Sequence, residues 1–439
     1  MSHFKPLKIV SFHFAVCLML YFGCGGSQKG LVETSDTSTK PDRLSVIRQQ
    51  VKENPQDANA YLNLSTAYAD LDSVDNALGT IDTALSIDPD FAKARLVRAE
   101  LLLKKNKIKD SYNEYLEILK GDQGEDYVAE IRAKLGQPYP IHQLTRGDHN
   151  NAFPSFSPDN KKIIFQSDRT GNWQLYLIDA DGAQEIRLTT NAHQDEMPVY
   201  GSSDNIIAFT STRDDTVHKD RLSKNRNIYL MDMNTGSVAR AVENDADDWY
   251  PALIGKGEQI VFVSEVDDHR DVQFHEKLSD IYFKDFASGT TLRLTQNEAD
   301  DGSPAVAAND KWIAFTSNVS GVYQVYRMNT KGGLVEQLTY MNGNCGAPHF
   351  SPDGKKIVFF SENGDGYNLY MMNNTGRNLE QLTSDSSQDS YPSFSSDKRK
   401  VLFHSNRSGK FQLYWIDLMS PLTHDDLVRE LEQKIASAN

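Results

Sequence analysis

The sequence is poor in cysteine, in basic charge and in long apolar runs. Of 439 residues only Cys17, Cys24 and Cys345 are cysteines, too few and too scattered to organise a fold by disulfides. Lys and Arg total 46 against 61 Asp and Glu, a net charge of −15. An acidic chain without a Lys/Arg run repels phosphate backbones, so nucleic acid is not expected as a partner. A mean hydropathy of −0.54 does not fit a polytopic membrane protein. Catalytic signatures are missing too: there is no Gly-x-Ser-x-Gly elbow, no Walker loop and no Gly-rich dinucleotide turn, and His275-Glu276 lacks the second histidine of a zinc protease helix. No cofactor is expected. What is present, 39% hydrophobic and 10% aromatic residues, suffices for a core of ordinary size.

The first 23 residues place Lys5 and Lys8 before an apolar run, Ile9 to Phe22, that is short for a membrane span of about 20 residues. This is the pattern of an export signal. The run ends Leu20-Tyr21-Phe22-Gly23-Cys24, which resembles the lipobox of bacterial lipoproteins and implies a lipid on Cys24. Cys345 is then left without a disulfide partner. Residues 24–40, rich in Gly, Ser and Thr, read as a flexible tether.

Pro55 and Pro89 lie 34 residues apart, a helical-repeat period. Tyr61-x2-Leu64-Ser65-x2-Tyr68, followed by Ala77-x3-Ile81-x2-Ala84 and Pro89, resembles the tetratricopeptide pattern, and a degenerate copy follows at Arg95, Ala99, Leu102, Ser111, Tyr115 and Ile118. Residues 41–136 are therefore expected to form a short α-helical tetratricopeptide solenoid. The resemblance implies a protein-binding groove, with Leu62, Thr66 and Leu96 among the residues facing it. The paired Lys/Asn clamp that some family members use for peptide carboxylates is absent.

From residue 140 onward landmarks recur. Prolines stand at 154, 198, 251, 304, 348 and 392, phenylalanines at 165, 209, 262, 315, 359 and 403, and tyrosines at 176, 229, 282, 326, 370 and 414. Each unit, 44 or 53 residues long, holds β-rich runs for four short strands, the signature of a propeller blade. Phe156-Ser-Pro-Asp159 and Phe350-Ser-Pro-Asp-Gly-Lys355, with their following Leu-Thr pairs, resemble the TolB-type PD40 (WD40-like) repeat, which implies a six-bladed TolB-like β-propeller over 140–420. The Leu-Thr pair at 144 precedes the first proline, so residues 141–146 are expected to supply the outer strand of the last blade. Residues 421–439 read as an amphipathic helix that packs on a blade or on the helical domain.

Two features mark a candidate binding face. Three residues before each blade proline stand Asn151, Asp195, Asp248, Asp301, Cys345 and Asp389, which are expected to ring one mouth of the channel. The two 53-residue units carry nine extra residues each between their Phe and Tyr landmarks, forming hairpins that contain His218, His269 and Phe274 on the same face. The scattered histidines His149, His193, His218, His269, His275 and His349 leave open a metal site assembled from several blades.

These features lead to one expectation: a non-catalytic scaffold of the bacterial envelope, an outer-membrane lipoprotein facing the periplasm. Its expected partners are envelope proteins, including peptidoglycan-associated or secretion components. The rival expectation is a propeller enzyme, a polysaccharide lyase with metal at the channel mouth.

Overall fold

A computed structural model describes residues 43–437 apart from 204, 216–224, 273–275 and 365. Cys24, the export signal and the tether lie outside the described residues, as do His218 and Phe274. The chain divides into two compact units, one formed by the chain up to Val128 together with His424–Asn439, the other by Ala129–Thr423.

The first unit is helical. Helices α1 (Arg43–Glu53), α2 (Ala58–Asp70), α3 (Val74–Ile87), α4 (Ala92–Lys104) and α5 (Ile108–Lys120) follow through links of three or four residues, and α6 (Gly124–Leu135) runs across the boundary. Links this short fold each helix back on its predecessor. Asp57 caps α2 by accepting from the Asn59 N–H at 2.9 Å. Behind α2 and α4 the chain turns through left-handed Asp72 (φ 54) and Asn106 (φ 57), residue types that tolerate that conformation and that lie 34 positions apart. Small residues bring α2 and α3 close: Ala77, Ile81 and Ala84 are fully buried, and the Ser65 hydroxyl donates to the Ala77 carbonyl at 2.8 Å. Buried Glu114 joins α5 to α4 through Arg95 (2.9 Å) and Arg98 (2.6 Å). The last helix, α7 (His424–Ser437), buries Leu427 and Leu431. It joins this unit at α5, where His424 Nε2 meets the Leu119 carbonyl at 2.8 Å and Lys120 pairs with Glu432 at 2.9 Å.

The second unit is a six-bladed propeller. Its strands form six four-stranded antiparallel sheets, five from consecutive strands and the sixth completed by Ile141–Gln143 beside Gln412–Asp417. Within every blade the phenylalanine of the second strand pairs directly with the tyrosine of the third, from Phe165 with Tyr176 to Phe403 with Tyr414. Ring centroids lie 5.7 to 5.9 Å apart. All six phenylalanines are at most 2% exposed, and truncating any of them to Ala should cost about 3–5 kcal/mol.

Closure is an edge problem, since an unpaired outer position in blade 6 would expose a row of backbone groups. Ile141, His142 and Gln143 fill it opposite Ile416, Trp415 and Tyr414, His142 stacks on Trp415 at 4.2 Å, and the Leu144 N–H donates to the Leu413 carbonyl at 2.8 Å. Deleting residues 140–146 is expected to lower the propeller's melting midpoint by roughly 10 °C, from several lost ladder bonds at about 1 kcal/mol each. Deleting 424–437 should leave that transition in place. The reverse outcome in a thermal scan would refute closure by this strand.

Candidate functional site

The six blades meet at six equivalent seams. The first residue of each inner strand, or in blade 6 the residue just before it, donates its backbone N–H to a carbonyl at the start of the third strand of the preceding blade, one residue ahead of that strand in five seams and inside it at Tyr367. The pairs are Asn151 to Phe411, Asp195 to Trp173, Asp248 to Arg226, Asp301 to Ser279, Cys345 to Tyr323 and Asp389 to Tyr367, all at 2.8 to 2.9 Å. In five seams the preceding residue's side chain, that of Asn150, Gln194, Asp247, Asp300 or Asn344, accepts the N–H of the same partner residue. These are the positions expected to present a charged ring at the channel mouth, and here the structure corrects the sequence reading. Asp195, Asp248, Asp301 and Asp389 are all 0% exposed, as are Asn151 and Cys345. The loop reaches the inner strand at the contact with the neighbouring blade, so its first side chain enters the seam, as Asn151 does in donating to Gln412 Oε1 at 2.9 Å.

The buried carboxylates fall into two kinds. Arg213 pairs with Asp195 at 2.9 Å, and Arg407 grips both oxygens of Asp389 at 2.8 and 2.7 Å. Arg169 likewise donates to Asn151 at 3.0 Å. Each of these arginines belongs to a Ser-x-Arg sequence, at Ser167, Ser211 and Ser405, and its Nε donates to that serine. In blades 3 and 4 the arginine position holds Val266 and Val319. There Asp248 accepts from Asn244 at 3.2 Å and Asp301 from Asn297 at 2.8 Å, with no arginine, and Asp248 Oδ2 and Asp301 Oδ1 are buried without a hydrogen-bond partner. Burial pushes the Asp248 carboxyl up to about 7 and raises that of Asp301.

Each inner strand carries a bulge in which two residues face one across the ladder, shown by the register shifts from Ala152/Ser155 to Ser390/Ser393. The second bulged residue is the blade proline, which lacks the N–H that the bulge leaves unpaired. The first is left-handed in every blade: Phe153 (φ 52), Met197 (52), Tyr250 (49), Ser303 (47), Ala347 (46) and Tyr391 (51). These six residues line the channel, and sequence reasoning missed them. Tyr250 and Tyr391, from opposite blades, meet hydroxyl to hydroxyl across the axis, and Phe153 packs on Tyr391 at 4.1 Å. Behind them His404 accepts the Phe153 N–H on Nδ1 at 3.2 Å, and burial pushes its pKa down to about 3.

On the face that carries the hairpins, both long insertions are closed by the same device. Asp215 accepts the Asn225 N–H and Asp268 the Leu278 N–H, each at 2.6 Å, while Asp214 and Asp267 take the hydroxyls of Tyr229 and Tyr282. His269 is exposed. His349, grouped by sequence with the loop histidines, instead sits in the inner strand Cys345–Phe350. In the helical unit Thr66 is exposed and Leu62 half-buried, but Leu96 is only 6% exposed, so its expected groove-facing role is withdrawn. Among the described residues no group of three or more His, Cys, Asp or Glu is arranged to hold a metal ion, and no helix is long and apolar enough to cross a membrane.

Residues 337–424 match the family described as PD40, TolB beta propeller domain, so the propeller is TolB-like in its PD40-bearing part. A TolB-like protein of Agrobacterium tumefaciens of known structure is 19% identical over 63% of this chain and 96% of its own, with a TM-score of 0.48. An oligogalacturonate lyase of Vibrio parahaemolyticus is 16% identical over 64% and 94%, with a TM-score of 0.44. The uncharacterized peptidase YuxL of Bacillus subtilis is 24% identical over 53% of this chain and 29% of its own length. The chain spans less than a third of the length of the curated relatives it matches.

A carboxyl whose folded pKa lies above its unfolded value near 3.8 favours the fold below pH 4 and loses that contribution as pH rises through about 7. Asp248→Asn should therefore stabilise the propeller by roughly 2–4 kcal/mol at pH 8, and the gain should vanish as pH falls toward 4. Burial raises the Asp389 carboxyl too, but Asp389→Asn takes the two-oxygen acceptor from Arg407, leaving it Asp385 at 3.2 Å, and should destabilise the propeller by about 1–3 kcal/mol. Denaturant melts of both variants across pH 4–8 check the pair; a destabilising Asp248→Asn at pH 8 would mean an ionised, satisfied Asp248.

Proposed function

We propose that the protein is a non-catalytic docking component of the bacterial envelope, exported and held to the outer membrane by a lipid on Cys24. Its partners on this reading are envelope proteins, among them peptidoglycan-associated or secretion components, bound on the propeller face that carries the two hairpins. One observation carries the reading. Insertions of equal length in neighbouring blades are closed by the same pair of aspartates, 53 residues apart, whereas unselected loop growth has no reason to repeat its own clamp. The buried seam aspartates take no part in the contact, and His269 remains as an exposed candidate with His218 and Phe274. The helices from 43 to 135 are proposed as tetratricopeptide repeats offering a second surface around Leu62 and Thr66. The rival reading is a metal-dependent lyase.

The test is crosslinking in the native envelope followed by identification of partners. Removing 216–224 and 269–277, with Asp215→Gly and Asp268→Gly to match Gly171 (φ 92) and Gly321 (φ 99) of the short blades, restores the 44-residue unit. Crosslinked partner should fall about tenfold while the propeller's melting is retained, an interface loss of about 1.4 kcal/mol or more. Undiminished capture, together with loss on Leu62→Asp, would transfer recognition to the helices. Stoichiometric divalent metal in the purified protein would favour the lyase. Cys24→Ala should move the protein from the membrane to the soluble fraction; an unmodified mature terminus beyond residue 24 by mass spectrometry would refute the anchor.

A further inference from the structure

On the far side of the Tyr250–Tyr391 bridge from the hairpins, the channel holds a cavity of about 200 Å³. Its walls begin at the bulge residue of each inner strand and run on toward the strand ends at Tyr200, Leu253 and Val306, with nothing before the bulge contributing. We propose that this cavity is a binding site for a small uncharged organic molecule: one substituted ring carrying a single hydrogen-bond acceptor. The site is independent of the docking reading, because it lies across the bridge from the face that reading uses.

Size sets the first limit. An apolar cavity of about 150 Å³ holds benzene, so this one accepts a ring with one or two substituents and no more. Shape follows from the bulge residues. Blades 1, 3 and 6 put Phe153, Tyr250 and Tyr391 toward the axis, whereas neighbouring blades 4 and 5 have Ser303 and Ala347 at the same position. The hollow is the space those two missing rings leave. Charge sets the next limit, because none of the lining residues is Asp, Glu, Lys or Arg. An ionised ligand would surrender its hydration without a counter-charge. Of the polar side chains on the wall, Ser393 donates to the Pro154 carbonyl at 3.2 Å, Ser155 accepts the Tyr200 N–H at 3.4 Å and the two tyrosine hydroxyls meet each other, so the donor assigned to the ligand is His349, also in blade 5. The Phe394 N–H donates to His349 Nδ1 at 3.3 Å, which leaves the imidazole proton on Nε2, and His349 is among the residues that line the cavity. Burial pushes this histidine down to about 4, so it stays neutral and donates one hydrogen bond over the physiological range.

The experiment uses the full chain and three probes of similar size: acetophenone, ethylbenzene and benzoate. Acetophenone should saturate with a Kd on the order of 0.1–1 mM and raise the propeller's melting midpoint. Ethylbenzene, without the acceptor, should bind about three- to tenfold more weakly, and benzoate should not bind. Ala347→Phe places in blade 5 the ring that blade 1 carries at the same left-handed position, and should abolish acetophenone binding with the fold intact. Benzoate binding as tightly as acetophenone, no saturation by acetophenone, or undiminished binding by a folded Ala347→Phe variant would each overturn the site. Should that variant not fold, nuclear Overhauser contacts from bound acetophenone to the methyls of Ala347 and Met197 in the unaltered protein decide the matter, and their absence at saturation overturns it.

Discussion

The propeller rests on one backbone hydrogen bond repeated six times, from the N–H at the start of an inner strand to a carbonyl of the preceding blade. A ring has as many seams as blades, so every seam must close with the same rotation or the last will not meet the first. A backbone contact secures this because it does not depend on the side chain that happens to stand there. Hence Asn151, Cys345 and four aspartates occupy one position without disturbing the geometry. What the position asks of its side chain is that it be small and fit the seam, and the serine opposite it in the second strand meets part of the need in some blades, as Ser361 does in accepting from Cys345 Sγ at 3.6 Å.

With the seam fixed, the bulge two residues further on follows. A left-handed residue ahead of a proline is doubly disfavoured, and each such conformation costs about 1–2 kcal/mol. It persists six times because it is held from both sides, by the seam below it and by the buried Phe–Tyr pair behind it. The strain aims a side chain at the channel axis that an unbulged strand would have turned into a sheet face. The channel's contents are therefore chosen by six residues whose identity the fold itself does not constrain.

That freedom explains what could and could not be read in advance. The blades were legible because Pro, Phe and Tyr each answer a demand made identically in every copy, and closure was legible because Leu144-Thr145 repeats the outer-strand pair out of order. The bulge residues Phe, Met, Tyr, Ser, Ala and Tyr share no chemistry, so no pattern marks them. The seam aspartates were visible but misplaced, since regular spacing fits a ring at the mouth as well as a row of buried joints. The deciding signal lay 18 residues on, in the Ser-x-Arg of blades 1, 2 and 6, because an arginine in register with an acidic or amide residue implies a partnered interior site. Leu96 was misassigned by carrying Leu62 forward 34 residues, although burial differs between the two copies.

Departures from six-fold regularity are unevenly distributed. Blades 6 and 1, where the chain's two propeller ends meet, keep the short central hairpin, the Ser-x-Arg pair and an aromatic bulge residue. The long hairpins are in blades 2 and 3, the unpartnered carboxyls in 3 and 4, and the small bulge residues in 4 and 5. Physical reason favours this division. Blade 6 is completed by the strand Ile141–Gln143, of only three residues, so weakening it opens an edge, whereas the other five blades are each built from consecutive strands. Raised carboxyls such as Asp248 cost stability near neutral pH; burial raises Asp389 of blade 6 as well, but there Arg407 grips both carboxylate oxygens, whereas Asp248 and Asp301, each with an oxygen buried without a hydrogen-bond partner, lie away from the closing blade. The four blades between the propeller's two ends are thus the ones free to vary, and both the hairpin face and the channel cavity draw their distinctive residues from them.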